Sequence, residues 1–219
     1  MGSLHVLRYL RIDSFYHVVN FFSPGMRRKR MQEMMAFFDL QPGSKVVDLG
    51  GVSRIWNCIE TPLDITIVNL PSAYKGEDLK SHHHFTYLDG DATSLTQFKD
   101  MSFDLAFSNS VIEHVGDASK QQMFAQEIRR LAPCYYVQTP SIWFPLEAHT
   151  GIVFWWFLPR WLKASMHRRW ARILPDWNEM ILGTRIITRR DLRHFFPGGI
   201  IKTERVFGWP KSYFVLRKA

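Results

Sequence analysis

Between residues 44 and 140 the apolar residues fall in short, evenly spaced bursts. Val46-Val47-Asp48-Leu49, Ile65-Thr66-Ile67-Val68, Phe85-Thr86-Tyr87-Leu88, Phe103-Asp104-Leu105-Ala106-Phe107 and Cys134-Tyr135-Tyr136-Val137 are each of strand length, with longer polar stretches between them. Runs this short, rich in β-branched and aromatic residues, predict strands. The stretch before the fifth has another period: Ser119 to Leu131 sets Met123, Phe124, Ile128 and Leu131 on one helical face, and Pro133 closes it. Strands alternating with helical stretches predict a parallel sheet covered on both faces. Two later runs, residues 200–206 and 212–216, predict a closing strand pair.

The flanking segments follow other patterns. Phe15 to Leu40 carries apolar residues at helical spacing broken at Pro24-Gly25, which predicts two helices ahead of the sheet. Ser141 to Trp177 is aromatic and basic, with Trp143, Phe144, Trp155, Trp156, Trp161, Trp170 and Trp177. The expected fold is therefore α/β: a doubly wound, Rossmann-like, mostly parallel seven-stranded sheet with an antiparallel last strand, N-terminal helices and a Trp-rich helical insertion after strand 5. It forms a single domain over residues 1–219. Within it, 1–41 is a helical cap, 42–140 the core, 141–185 an aromatic lid or substrate region, and 186–219 the closing strands.

Composition narrows the class. With 219 residues, 46% hydrophobic and 22% charged, the chain has the balance of a packed globular protein rather than a disordered one. No apolar run reaches the roughly 18 residues that span a bilayer, because Arg160 and Lys163 interrupt the most lipophilic stretch. The aromatic-basic run from Val153 to Lys163 leaves peripheral contact with an anionic membrane open beside the lid reading. Met1 to Asn20 lacks the apolar core of a secretory signal, so the expected compartment is the cytoplasm. Cys58 and Cys134 are expected as reduced thiols.

The net charge of +8 gathers in Arg27-Arg28-Lys29-Arg30, Arg168-Arg169, Arg172 and Arg189-Arg190. These clusters read as solvated helix faces, and nucleic acid is not the expected partner. Three adjacent histidines, His82-His83-His84, point in different directions and read as an exposed loop, so no metal is expected.

The chemistry lies at the predicted strand ends. In a doubly wound sheet, ligands bind beyond the carboxyl ends of the strands, where a glycine turn lets backbone approach and a polar residue about 20 positions on holds a ribose. Gly50-Gly51-Val52-Ser53 supplies the turn and Asn69 the polar residue. Asp89-Gly90-Asp91-Ala92-Thr93 follows the third strand, and Ser108-Asn109-Ser110-Val111-Ile112-Glu113-His114-Val115 the fourth. Beyond the fifth, Gln138 to Thr150 forms a proline-framed aromatic loop carrying Glu147 and His149, where an acceptor pocket belongs.

The order and spacing of these segments, from Val46 to Val137, resemble the class I S-adenosylmethionine-dependent methyltransferases, particularly small bacterial enzymes with a methyltransferase type 11 domain. The resemblance implies S-adenosylmethionine as cofactor. Asp48 would orient the loop and the methionine amino group, and Gly50 and Gly51 would lie against the cofactor. Asn69 and Leu70 would take the ribose, Asp91 and Ala92 the adenine edge, and Asn109 the floor beneath the sulfonium. Glu113 and His114 would stand at the mouth, with Glu147 and His149 as second-site residues. Glu113, His114 or His149 would serve as base for a protonated acceptor.

Two departures stand out. The family's Gly-x-Gly-x-Gly loop is here Gly50-Gly51-Val52-Ser53-Arg54, and the ribose position carries Asn69 instead of an acid. Methyl transfer to a small-molecule acceptor is the expected reaction. The alternatives are intramolecular cyclisation of the cofactor to azetidine-2-carboxylate with release of methylthioadenosine, and a non-catalytic module binding RNA or membrane. The acceptor and the oligomeric state are left open.

Overall fold

The computed structural model describes residues 25–71, 81–147 and 149–219. The first of the two expected N-terminal helices lies outside these residues. The second is present as α1, helical over residues 25–38. Seven strands follow: β1 (Lys45–Leu49), β2 (Asp64–Asn69), β3 (His84–Asp89), β4 (Leu105–Asn109), β5 (Cys134–Pro140), β6 (Ile200–Val206) and β7 (Trp209–Arg217). Four further helices are α2 (Ala118–Leu131), α3 (Arg160–Ile173), α4 (Pro175–Gly183) and α5 (Arg189–Phe195).

The strands form one sheet in the order β3-β2-β1-β4-β5-β7-β6. β1 to β5 run parallel, while β7 lies antiparallel to both β5 and β6. The order reverses between β1 and β4, the position where open α/β sheets leave a crevice at their carboxyl edge. This is the expected doubly wound architecture with its antiparallel last strand.

The core divides by sheet face, as strand alternation requires. One face presents Val47, Leu49, Ala106, Tyr135, Val137 and Val215 to Phe124, Ile128 and Leu131 of α2 and Leu192 of α5. The other presents Val46, Ile65, Ile67, Phe107, Tyr136 and Phe214 to Met31, Met34 and Phe38 of α1. Across this second face, Phe107 stacks on Tyr136 at 5.4 Å.

Local chemistry sets the helix ends. Asp117 caps α2 by accepting from the Lys120 N–H, and Arg129 and Arg130 occupy its last turn, where cations oppose the carbonyl ends. Thr188 and Asp191 form a reciprocal capping box on α5.

Three boundaries differ from expectation. β4 runs from Leu105 to Asn109 rather than starting at Phe103, because the Asp104 carboxylate accepts from the Lys45 N–H and holds the chain just outside the ladder. β7 begins at Trp209, since its pairing with β6 extends to Val206. Met123 faces solvent; the buried stripe of α2 is Gln121, Phe124, Ala125, Ile128 and Leu131.

The insertion after β5 is helical and Trp-rich, as expected. Trp155 is buried and meets Trp170 at 5.3 Å, and Trp170 meets Trp177 at 4.8 Å. α3 itself buries none of its residues. Among the described residues no helix is long and apolar enough to cross a membrane. Both cysteines are free thiols.

Candidate active site at the carboxyl edge of the sheet

The chain leaves β1 through Gly50, whose φ of +75° is the left-handed conformation that glycine adopts without strain. The Gly50 N–H donates to the Val68 carbonyl at 2.8 Å, tying the turn to β2. A side chain on Gly50 would meet Val111 at 2.6 Å, and one on Gly51 would overlap the Asp48 carboxylate. Both glycines are thus required by close approach. Asn69, at the end of β2, donates its amide N–H to the Gly51 carbonyl at 3.0 Å, so it holds the turn as well as the expected ribose position.

No α-helix follows this turn. A short 3-10 segment, Ser53–Cys58, drops Trp56 fully into the core, edge-on to Phe107. The Trp56 Nε1–H donates to Asp48 Oδ2 at 2.8 Å. Asp48 is completely buried, its Oδ1 has no partner among the described residues, and burial pushes its carboxyl up to about 7. Ser53 Oγ is a second buried polar atom at this turn without a partner among the described residues. An acid kept near neutrality under a glycine loop favours a cationic group arriving there. The turn therefore suits the ammonium end of an amino-acid-bearing cofactor.

The remaining cofactor candidates line the same edge. Leu70 is exposed just past β2. Asp91 follows β3, where its Oδ1 accepts from the Thr93 N–H and hydroxyl; these bonds hold its carboxyl below the usual range. Ala92 packs half-buried against the core. Asn109 ends β4, and its Oδ1 accepts from Arg30 of α1 at 3.3 Å. Arg30 also pairs with Glu204 of β6 at 3.5 Å, a link that sequence spacing does not reveal. A cleft between α1 and the strands β5, β6 and β7 is lined by Arg30, Phe37, Tyr136, Lys202 and Phe214.

Four acceptor-side candidates come together although two lie after β4 and two after β5. Ser110, at φ 58°, turns the chain out of β4, with its hydroxyl donating to Gln138 Oε1 at 2.7 Å. This brings Glu113 inward beneath the edge and His114 to its rim. Glu113 is fully buried, accepts from the Thr139 hydroxyl at 3.0 Å, and is raised by burial to about 7. His114 Nε2 faces His149 Nε2 at 3.0 Å. Glu147 Oε1 contacts His149 Nδ1 at 2.7 Å, and its Oε2 accepts from the Thr150 N–H.

Their electrostatics diverge. Desolvation and then the neighbouring His149 lower His114 to about 4. Burial lowers His149, but the bond to Glu147 and the charges of Glu147 and Glu113 together outweigh this and leave it raised; burial raises Glu147, but His149 and Thr150 together outweigh this and leave it lowered. Thr139 and Thr184 complete the cluster. Thr139 lies near the end of β5, within the stretch from Gln138 to Thr150, whereas nothing in the sequence marked Thr184, whose hydroxyl lies 3.3 Å from His114 Nδ1.

His82, His83 and His84 are not an exposed loop throughout. His83 is buried and accepts from the Leu63 N–H through Nδ1, so its Nε2–H donates to the Trp56 carbonyl at 3.0 Å. His82 reaches the Ile59 carbonyl, and His84 pairs with Asp64.

The strand order with its switch-point crevice and antiparallel last strand is that of the class I methyltransferase fold. Residues 52–133 match the type 11 family model described as Methyltransferase domain. No curated protein shows significant similarity to this chain.

Solved structures agree in fold. Magnesium protoporphyrin IX methyltransferase from Synechocystis PCC 6803, with bound S-adenosylhomocysteine, shares 12% identity over 99% of this chain and 96% of its own, with a TM-score of 0.54. Haemonchus contortus phosphoethanolamine N-methyltransferase 2, in complex with S-adenosyl-L-methionine, shares 18% identity over 89% of this chain and 43% of its own, with a TM-score of 0.55. At such identities the likeness is one of fold.

Proposed function

We propose that this chain transfers a methyl group from S-adenosylmethionine to a small-molecule acceptor. The observation that carries the proposal is Asp48: a wholly buried acid, with no donor to Oδ1 among the described residues, directly beneath the Gly50-Gly51 turn. Asp48, Gly50 and Gly51 would hold the methionine end, Asn69 and Leu70 the ribose, and Asp91 and Ala92 the adenine, with Asn109 near the sulfonium. The cofactor supplies an already activated methyl group, so the protein's main contribution is to position the two reactants. Glu113, His114, Glu147 and His149 are the groups on this reading that receive the acceptor's nucleophile.

Calorimetry with S-adenosylhomocysteine is expected to show binding at one site, weakened in Asp48→Asn. Incubation with S-adenosylmethionine alone is expected to give no methylthioadenosine, whereas adding cell extract yields S-adenosylhomocysteine and a methylated product by mass spectrometry. Methylthioadenosine formed without an acceptor would overturn methyl transfer in favour of cyclisation. Absence of cofactor binding would overturn both.

The exposed aromatics Trp143, Phe154, Phe157, Trp161 and Trp209 favour a second role for residues 141–185. Trp143, Phe157, Phe154 and Trp209 form a chain of contacts between 5.5 and 6.5 Å, beside the basic helix α3. This patch supports contact with an anionic membrane surface, and co-sedimentation with anionic but not neutral vesicles tests it.

A further inference from the structure

Two histidine rings meet at the rim through their Nε2 atoms, and the protons on their far sides are already assigned. His149 Nδ1 lies 2.7 Å from Glu147 Oε1; because that oxygen belongs to a carboxylate that only accepts, Nδ1 carries the hydrogen. On His114, Nδ1 faces the Thr184 hydroxyl, whose single hydrogen donates to the Met180 carbonyl at 2.8 Å. Thr184 therefore accepts, and His114 Nδ1 carries the hydrogen too. In the neutral rings both Nε2 lone pairs then point at one another across 3.0 Å, an arrangement that a shared proton or a metal ion between them satisfies.

Glu113 adds the third donor. Its Oε1 is buried without a partner among the described residues, while Oε2 is held by Thr139. One ligand atom from each of Glu113, His114 and His149 lies within 4.8 Å of the others. Two nitrogens on one tetrahedral ion sit about 3.4 Å apart at bond lengths near 2.1 Å, so side-chain adjustments of about 1 Å close the triad.

We propose that Glu113, His114 and His149 bind a first-row divalent transition ion, with Glu147 and Thr184 orienting the two imidazoles from behind. Two imidazoles and one carboxylate suit Fe2+, Co2+ or Zn2+ rather than Mg2+ or Ca2+, which prefer all-oxygen shells. A carboxylate behind a ligating histidine is the usual outer-shell partner. Three protein ligands leave coordination positions for water or an oxygen of the acceptor, and His114 lies at the exposed rim where one enters. The site does not depend on the methyl-transfer reading.

The test uses the full chain, stripped with chelator and titrated with Co2+ while the visible d–d absorption is followed. One equivalent is expected to bind, with Zn2+ displacing it. His114→Ala and His149→Ala are expected to abolish the band, and Glu147→Gln to weaken affinity roughly 10- to 100-fold. His82→Ala and His84→Ala are expected to leave it unchanged. If an alanine variant melts, His114→Gln and His149→Gln replace it, with folding followed by circular dichroism. In wild type, Zn2+ should also raise the melting temperature saturably.

No binding at one equivalent, or binding that survives loss of both histidines, overturns the site. Unchanged affinity in Glu147→Gln overturns the assigned orientation of His149. Cofactor calorimetry reads separately, so failure here is distinguishable from failure of the methyltransferase reading.

Discussion

Asp48→Asn isolates the energetic cost of burying an acid beneath the Gly50-Gly51 turn. In the folded chain the carboxyl is raised from 3.8 to about 7, first by burial and against the Trp56 hydrogen bond. The folded state thus holds a proton that the unfolded state has released between those two values. Below about pH 4 both states are protonated and the penalty vanishes; stability then falls as pH rises to about 7 and is flat above it. The full penalty is on the order of 4 kcal/mol, of which about 3 kcal/mol develops between pH 5 and pH 8.

The amide keeps an acceptor for Trp56 but cannot ionise. The stability difference between variant and wild type is therefore expected to move by about 3 kcal/mol in the variant's favour from pH 5 to pH 8, read from urea unfolding at both pH values. A difference that does not change with pH would refute the argument. The same variant should bind S-adenosylhomocysteine roughly ten- to a hundredfold more weakly, because a charge-assisted bond is worth about 1.5–3 kcal/mol. A more stable protein that binds its cofactor less well is the combined signature.

Other substitutions probe the scaffold. Gly51→Ala drives a methyl into the Asp48 carboxylate and should cost about 1–3 kcal/mol by chemical denaturation. Gln121→Leu removes the amide that donates to the Ile112 and Arg185 carbonyls, at 3.1 and 2.8 Å, which join the segment after β4 to the end of the insertion. It should cost about 2–4 kcal/mol, seen as a lower urea midpoint. His83→Leu leaves the Leu63 N–H and the Trp56 carbonyl unpaired and should lower stability by a similar amount while retaining Co2+ binding at the rim. Trp161→Ser, at a side chain 72% exposed, should change stability by no more than about 0.5 kcal/mol by the same assay.

The sheet was legible because each strand is a compact apolar run, and the parallel order follows from the helical stretch between β4 and β5. Where reading erred, a polar side chain had replaced a ladder bond, as with Asp104 at the start of β4. Met123 misled because α2 buries Gln121 instead, a polar residue whose amide is consumed by two carbonyls. Asp48, Gly50, Gly51 and Asn69 were legible as a strand-end constellation, but the Trp56–Asp48 bond was not, since it depends on a 3-10 turn standing where a helix was to follow. The meeting of His114 with His149 spans 35 residues and needs the left-handed turn at Ser110, a backbone choice that serine does not announce.

The lightly anchored insertion has a consequence for how this protein acquires new specificities. The strand-end groups from Asp48 to Asn109 stand on or beside strands knitted into both core faces, so a change there disturbs the fold itself. Glu147, His149 and Thr184 instead hang on residues 141–185, whose longest helix contributes nothing to the buried core. Such a segment is exchangeable: a different stretch grafted between β5 and α5 keeps the strand-end turns of β1 to β4 and redraws only the chemistry at the rim.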